Sequence, residues 1–208
     1  LVSKLQFLNL YLELCQTKKS NMKSIKLFIL FAIALTFFGF TQTITKKVNV
    51  ENSLVIWTGY KVTGQHEGTI TLKEGVLLFE NETLTGGNFT IDMTTINTTD
   101  LQGGAKNRLD GHLKDEDFFD VDSYKTAAMT FKNVKPNGSS YLIEADLTIK
   151  GITKVVAFEM NVSGNTATAD LKIDRTQFNI TYKSASLSNV LKDKAIYDEF
   201  DLSVKLEF

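Results

Sequence analysis

The chain has 208 residues, 11% of them aromatic, a single proline and a net charge of −1 at pH 7. Residues 1–42 hold five lysines against one glutamate, so the remainder is mildly acidic at net −5. A domain of that sign with no basic run makes a poor nucleic-acid binder, because phosphate contacts supply most of that affinity. One cysteine, Cys15, excludes a disulfide within the chain.

In chain order, Met22 opens the first recognisable pattern. Lys23 and Lys26 precede an uncharged, largely apolar run from Leu27 to Phe40, and polar Thr41-Gln42-Thr43 follows. A basic start, an apolar middle and a polar exit describe a signal peptide over 22–43. The run falls short of the roughly 20 residues that span a bilayer. Residues 1–21 read as upstream sequence translated in frame. Cleavage is expected between Gly39 and Lys46, which makes the product periplasmic or secreted.

Strand periodicity dominates the rest, and residues 48–208 read as one domain. Phe89, Ile91 and Met93 alternate with polar neighbours. So do Tyr141, Ile143, Ala145, Leu147 and Ile149, then Val156, Phe158, Met160 and Val162. Ala167, Ala169, Leu171 and Ile173 continue the series, and Phe200, Leu202, Val204, Leu206 and Phe208 close it. A period of two with one wet and one dry face is the mark of antiparallel sheet. Turns are expected at Lys73-Glu74-Gly75, Asn81-Glu82, Asn137-Gly138 and Gly164-Asn165, and Pro136 suits a strand end.

Two stretches break the period. Lys106–Lys114 places Leu109 and Leu113 four apart, which suits a short surface helix packing one edge. Ser184–Lys194 places Leu187, Val190 and Leu191 at helical spacing. Eight or nine strands with such inserts form an all-β barrel or a sandwich, and pattern alone leaves both open.

Seven stretches of this sequence, in this order, carry a family resemblance. They are Trp57-Thr58-Gly59-Tyr60-Lys61, Gly64-Gln65-His66-Glu67-Gly68-Thr69-Ile70, and Leu84-Thr85-Gly86-Gly87-Asn88-Phe89-Thr90-Ile91-Asp92-Met93. Then come Leu109-Asp110-Gly111-His112-Leu113-Lys114, Asp117-Phe118-Phe119-Asp120-Val121, Leu147-Thr148-Ile149-Lys150-Gly151-Ile152-Thr153 and Asp174-Arg175-Thr176-Gln177-Phe178-Asn179-Ile180. From about Val50 to Phe208 the chain resembles the YceI-like family of bacterial polyisoprenoid-binding proteins. The resemblance implies an extended eight-stranded, lipocalin-like antiparallel barrel with one or two short helices. It also implies a periplasmic or secreted location and a tunnel for isoprenoid chains, and it is compatible with a homodimer. Lys125 and Asn179 depart from the usual pattern, which has proline and glycine there. Asn tolerates positive φ better than most residues, so the second change preserves the local turn.

The expected ligand is therefore an isoprenoid or other long-chain apolar lipid. Tunnel lining is assigned to Trp57, Phe79, Phe89, Ile91, Met93, Phe119, Phe131, Leu147, Phe158 and Phe200, with Lys61, His112 and Arg175 available to a headgroup. For those three, exposed solvated charge is the plainer role. No cofactor and no metal are expected. His66 and His112 lack companions at ligand spacing, and both imidazoles are read as bonding across turns or near the barrel mouth. Neither Gly-x-Ser-x-Gly nor a nucleophilic cysteine is present. The rival reading is an enzyme acting on a small apolar substrate at the mouth, with His112, Asp117 or Asp120 as acid or base.

Overall fold

The computed structural model describes residues 42–187 and 194–208. Residues 22–41 of the expected leader, and Val190 and Leu191 of the second helical stretch, lie outside these. Alternating side chains place nine strands. They are β1 (Thr43–Lys47), β2 (Leu54–Lys61), β3 (Gly64–Glu80), β4 (Thr83–Thr98), β5 (Thr126–Asn137), β6 (Ser140–Ile149), β7 (Ile152–Ser163), β8 (Thr166–Asp174) and β9 (Ile196–Glu207).

From β2 onward each strand pairs antiparallel with the next, and β9 pairs back onto β2. Eight strands thus close a barrel, which removes exposed strand edges. Long β3 has β4 along one edge; its other edge holds β2 at Gly64–Ile70 and β1 at Val76–Glu80. Strand β1 therefore completes the wall ahead of residue 48, where the domain is expected from sequence to begin.

Most turns stand where the sequence puts them. Ser163 pairs with Thr166 across Gly164-Asn165, and Gly164 takes φ +58°. Asn81 and Glu82 link β3 to β4 at φ +48° and +65°, without a glycine. Asn179 is left-handed at φ 59°. Pro136 lies inside β5, opposite Tyr141, where β5 has run past its pairing with β4.

Lys73-Glu74-Gly75 is not a turn. Strand β3 runs straight through it, and only its register against β4 shifts between Leu72 and Glu74. Gly75 is small there for another reason: a Cβ would come within 2.8 Å of the Phe89 ring. It marks a bulge and a close approach.

The two ends of the barrel differ. At the end bearing the 81–82, 138–139 and 164–165 turns, side chains fill the interior. Leu77, Leu84 and Ile143 are fully buried there. Phe131 meets Phe89 at 5.4 Å and Phe158 at 5.9 Å, and Phe79 meets Phe208 at 5.8 Å.

At the other end helix α1 (Gly103–Lys114) and the segment 115–124 connect β4 to β5, and a 3-10 turn (Arg175–Phe178) follows β8. Helix α1 starts three residues before the expected Lys106 and has no fully buried residue. Two hydrogen bonds tie it to the end of β4. Asp110 Oδ1 accepts the Thr98 N–H at 2.8 Å, and Lys106 Nζ donates to Asn97 Oδ1 at 2.7 Å.

Candidate ligand-binding site

A cavity of about 300 Å³ occupies the α1 end of the barrel. Its wall is apolar. Trp57 comes from β2, Ile70 from β3, Ile91, Met93 and Ile96 from β4, Leu147 and Ile149 from β6, and Phe200 and Leu202 from β9. Leu109 and Leu113 of α1, with Phe118 and Phe119, cover it. Inward parity supplies most strand positions, and the register shift between β3 and β4 brings Ile96 to the same wall as Ile91 and Met93.

The Trp57 indole is prepared for an apolar neighbour. Its Nε1–H donates to the Thr69 carbonyl at 3.3 Å, so the N–H asks nothing of a ligand. Gly68 makes room for the ring, because a Cβ there would overlap both the indole and the Asn97 carbonyl.

Polar side chains on the lining are few: Tyr60, Lys61 and His66 at the rim, with Arg175, Tyr197 and Glu199. Tyr60 donates to Asp201 Oδ2 at 2.7 Å, and that hydrogen bond raises the phenol's pKa above its usual range. Lys61 Nζ lies 3.1 Å from His66 Nε2, and His66 Nδ1 lies 2.8 Å from Asp100 Oδ2. Burial would raise the Asp100 carboxyl, but bonds from His66 and the Glu67 N–H hold it below the ordinary carboxylate value.

Six of the ten expected lining residues face this cavity: Trp57, Ile91, Met93, Phe119, Leu147 and Phe200. Phe79, Phe89, Phe131 and Phe158 do not. They share the inward parity but sit in the filled end, where Gly75 and Gly87 let rings approach closely. Period two reports which face a residue points to; it carries nothing about height along the barrel axis.

Among the expected headgroup contacts, Lys61 stands at the rim. Arg175 reaches the lining but is no solvated charge, being only 4% exposed. Its Nε, Nη1 and Nη2 donate to the carbonyls of Tyr197, Ile180 and Ile196, and Asp198 lies 3.7 Å from Nη2. Burial pulls its pKa down, while Asp198 and Asp174 oppose that pull. It pins the 3-10 turn to β9, so its charge answers the fold.

His112 does not line the cavity. Its ring is held edge-on between Phe118 at 4.8 Å and Tyr182 at 4.6 Å. Asp117 and Asp120 are likewise absent from the lining, so the acid–base set of the enzyme reading does not converge there. Sequence reasoning passed over Ile70, Ile96 and the His66–Asp100 pair as parts of the site. The Gly64–Ile70 stretch held a signal for His66, whereas Asp100 is one acid among 24 acidic residues.

Three comparisons place this geometry. The family model described as the YceI-like domain matches residues 47–208. A UPF0312 protein of Photorhabdus laumondii is 31% identical over 77 residues, 37% of each chain. Protein YceI of Shigella flexneri is 39% identical over 70 residues, 34% of this chain and 36% of its own. The matched segments thus span little more than a third of these curated relatives. The crystal structure of Burkholderia cenocepacia BcnA superposes with a TM-score of 0.58 at 20% identity, covering 76% of this chain and 98% of that one, a likeness of fold. With the family model covering the whole closed barrel and all of its cavity, the chain belongs to the YceI-like family.

Proposed function

We propose that this protein is an exported carrier, periplasmic or secreted, that sequesters or shuttles an isoprenoid-chain lipid of polyprenyl or quinone type and catalyses no reaction on it. The observation that supports this reading is the apolar cavity enclosed by Trp57, Met93, Phe119 and Phe200 in a barrel whose other end is filled. Each buried methylene is worth about 0.8 kcal/mol, so a five-carbon isoprene unit gives roughly 3–4 kcal/mol before costs. Association costs at least ~4 kcal/mol. A few units therefore reach micromolar affinity, near −8 kcal/mol, on apolar contact alone.

Mass spectrometry of lipids extracted from the purified native protein tests the reading. The expected result is an isoprenoid lipid approaching one per chain. Recovery of no lipid, or turnover of a small apolar substrate from a test panel, would overturn it.

A further inference from the structure

The rim holds one cation with hydrogen bonds to spare. An ammonium only donates, so His66 Nε2, at 3.1 Å from Lys61 Nζ, must accept. That acceptance places the imidazole proton on Nδ1, which donates to Asp100 Oδ2 at 2.8 Å. Asp100 is held in turn by the Glu67 N–H on Oδ1 at 3.2 Å. Donation runs in one direction, from the Lys61 head through His66 to Asp100.

Among the described residues no carboxylate lies within 4.0 Å of Lys61 Nζ. The other charges on the lining are engaged elsewhere. Arg175 spends its donors on three carbonyls, and Glu199, largely exposed, lies 3.9 Å from Lys172. Lys61 therefore keeps two N–H donors at the edge of an apolar cavity, steadied by an imidazole that Asp100 orients.

We infer that this mouth selects a chain bearing an acidic head, a carboxylate or a phosphate, with Lys61 as the binding cation and His66 and Asp100 as its positioning residues. The inference rests on the proposed apolar-chain function. An anionic head takes charge-assisted hydrogen bonds that a hydroxyl or quinone oxygen receives only in weaker form. Those bonds strengthen where water is partly excluded.

The test measures the affinity of the full folded chain for geranylgeranyl monophosphate, geranylgeranoic acid and geranylgeraniol, with inorganic phosphate as a competitor. Both acids should bind about tenfold or more tightly than the alcohol, the worth of one such bond. Inorganic phosphate should not compete. Lys61→Met should bring the acids down to the alcohol's affinity, Lys61→Arg should keep the preference, and His66→Leu should reduce it. Equal binding of acid and alcohol, or a preference that survives Lys61→Met, overturns the acidic-head inference and leaves the apolar reading standing. Competition by inorganic phosphate as tight as that by the lipid phosphate overturns the lipid source of the head. Failure of all three lipids to bind overturns both readings. Should Lys61→Met not fold, the wild-type comparison of acids with alcohol decides alone.

Discussion

The rings of Phe89 and Phe131 meet at 5.4 Å inside the barrel, and a Cβ on Gly87 would lie within 3.0 Å of both. This pair seals one end of the molecule. Phe200, of the same parity, borders the cavity at the other end instead and meets Phe119 at 6.4 Å. Truncation should separate the two roles. Phe131→Ala should cost about 3–5 kcal/mol of stability, as for a ring with partners on all sides. Lipid retained by the folded fraction should not fall. Phe200→Ala should cost less stability and more retention. Denaturant melts read beside lipid extraction check this, and the reverse pattern would mean that the ends are misassigned.

Arg175 should be the costliest single charge to remove. Arg175→Met strands the carbonyls of Ile180, Ile196 and Tyr197 and leaves Asp198 without its cation. Breaking a buried pair of this kind costs about 3–5 kcal/mol. Arg175→Lys should rescue little, because one ammonium cannot reproduce the guanidinium fork. Unfolding midpoints of the two variants would show it, and full rescue by lysine would refute the fork argument.

Acid should loosen the attachment of α1. Burial pushes the Asp110 carboxyl up, but hydrogen bonds from Lys106 and the Thr98 N–H outweigh it and hold it below its ordinary 3.8. A depressed folded value means that the stabilisation is complete above the unfolded value and is lost as pH falls through the folded one. Melting temperatures from about pH 6 to about pH 2.5 should therefore drop more steeply in wild type than in Asp110→Asn. Parallel curves would count against this role for Asp110.

Trp57, the only tryptophan, reports on the cavity directly. Titrating geranylgeraniol into the protein should change its emission saturably, with a midpoint near the micromolar range. Trp57→Phe should abolish the signal. Unchanged emission in a sample shown by mass spectrometry to hold lipid would place the ligand elsewhere. Gly68→Ala should displace the indole and cost about 1–3 kcal/mol through overpacking.

Export predicts a shortened chain. The native product should lack residues 1–21 and begin between Gly39 and Lys46, and a cut before Thr43 leaves β1 whole. Peptide mass mapping of the native protein checks it. Recovery of an intact Leu27–Phe40 run in the soluble product would refute it.

Much of the wall was determined by alternation and turn chemistry alone. Tyr141, Ile143 and Ala145 face inward because successive side chains oppose each other on a pleat. The Gly164-Asn165 link was legible because glycine takes positive φ freely, and Asn81 because asparagine tolerates it, whereas Glu82 holds φ +65° without that licence. These are local properties, and local sequence specifies them. Closure of β9 on β2, the division into a filled and a hollow end, and the His66–Asp100 contact were decided in three dimensions. Gly75 shows why: the same residue that marks a turn in an isolated segment here admits the Phe89 ring from the next strand. Arg175 shows it again, since only the return of β9 brings the carbonyls of Ile196 and Tyr197 to its guanidinium. Parity along a strand is set by covalent geometry. Height along the barrel, and which charge meets which across 34 residues of chain from His66 to Asp100, follow from how the strands stagger when they close.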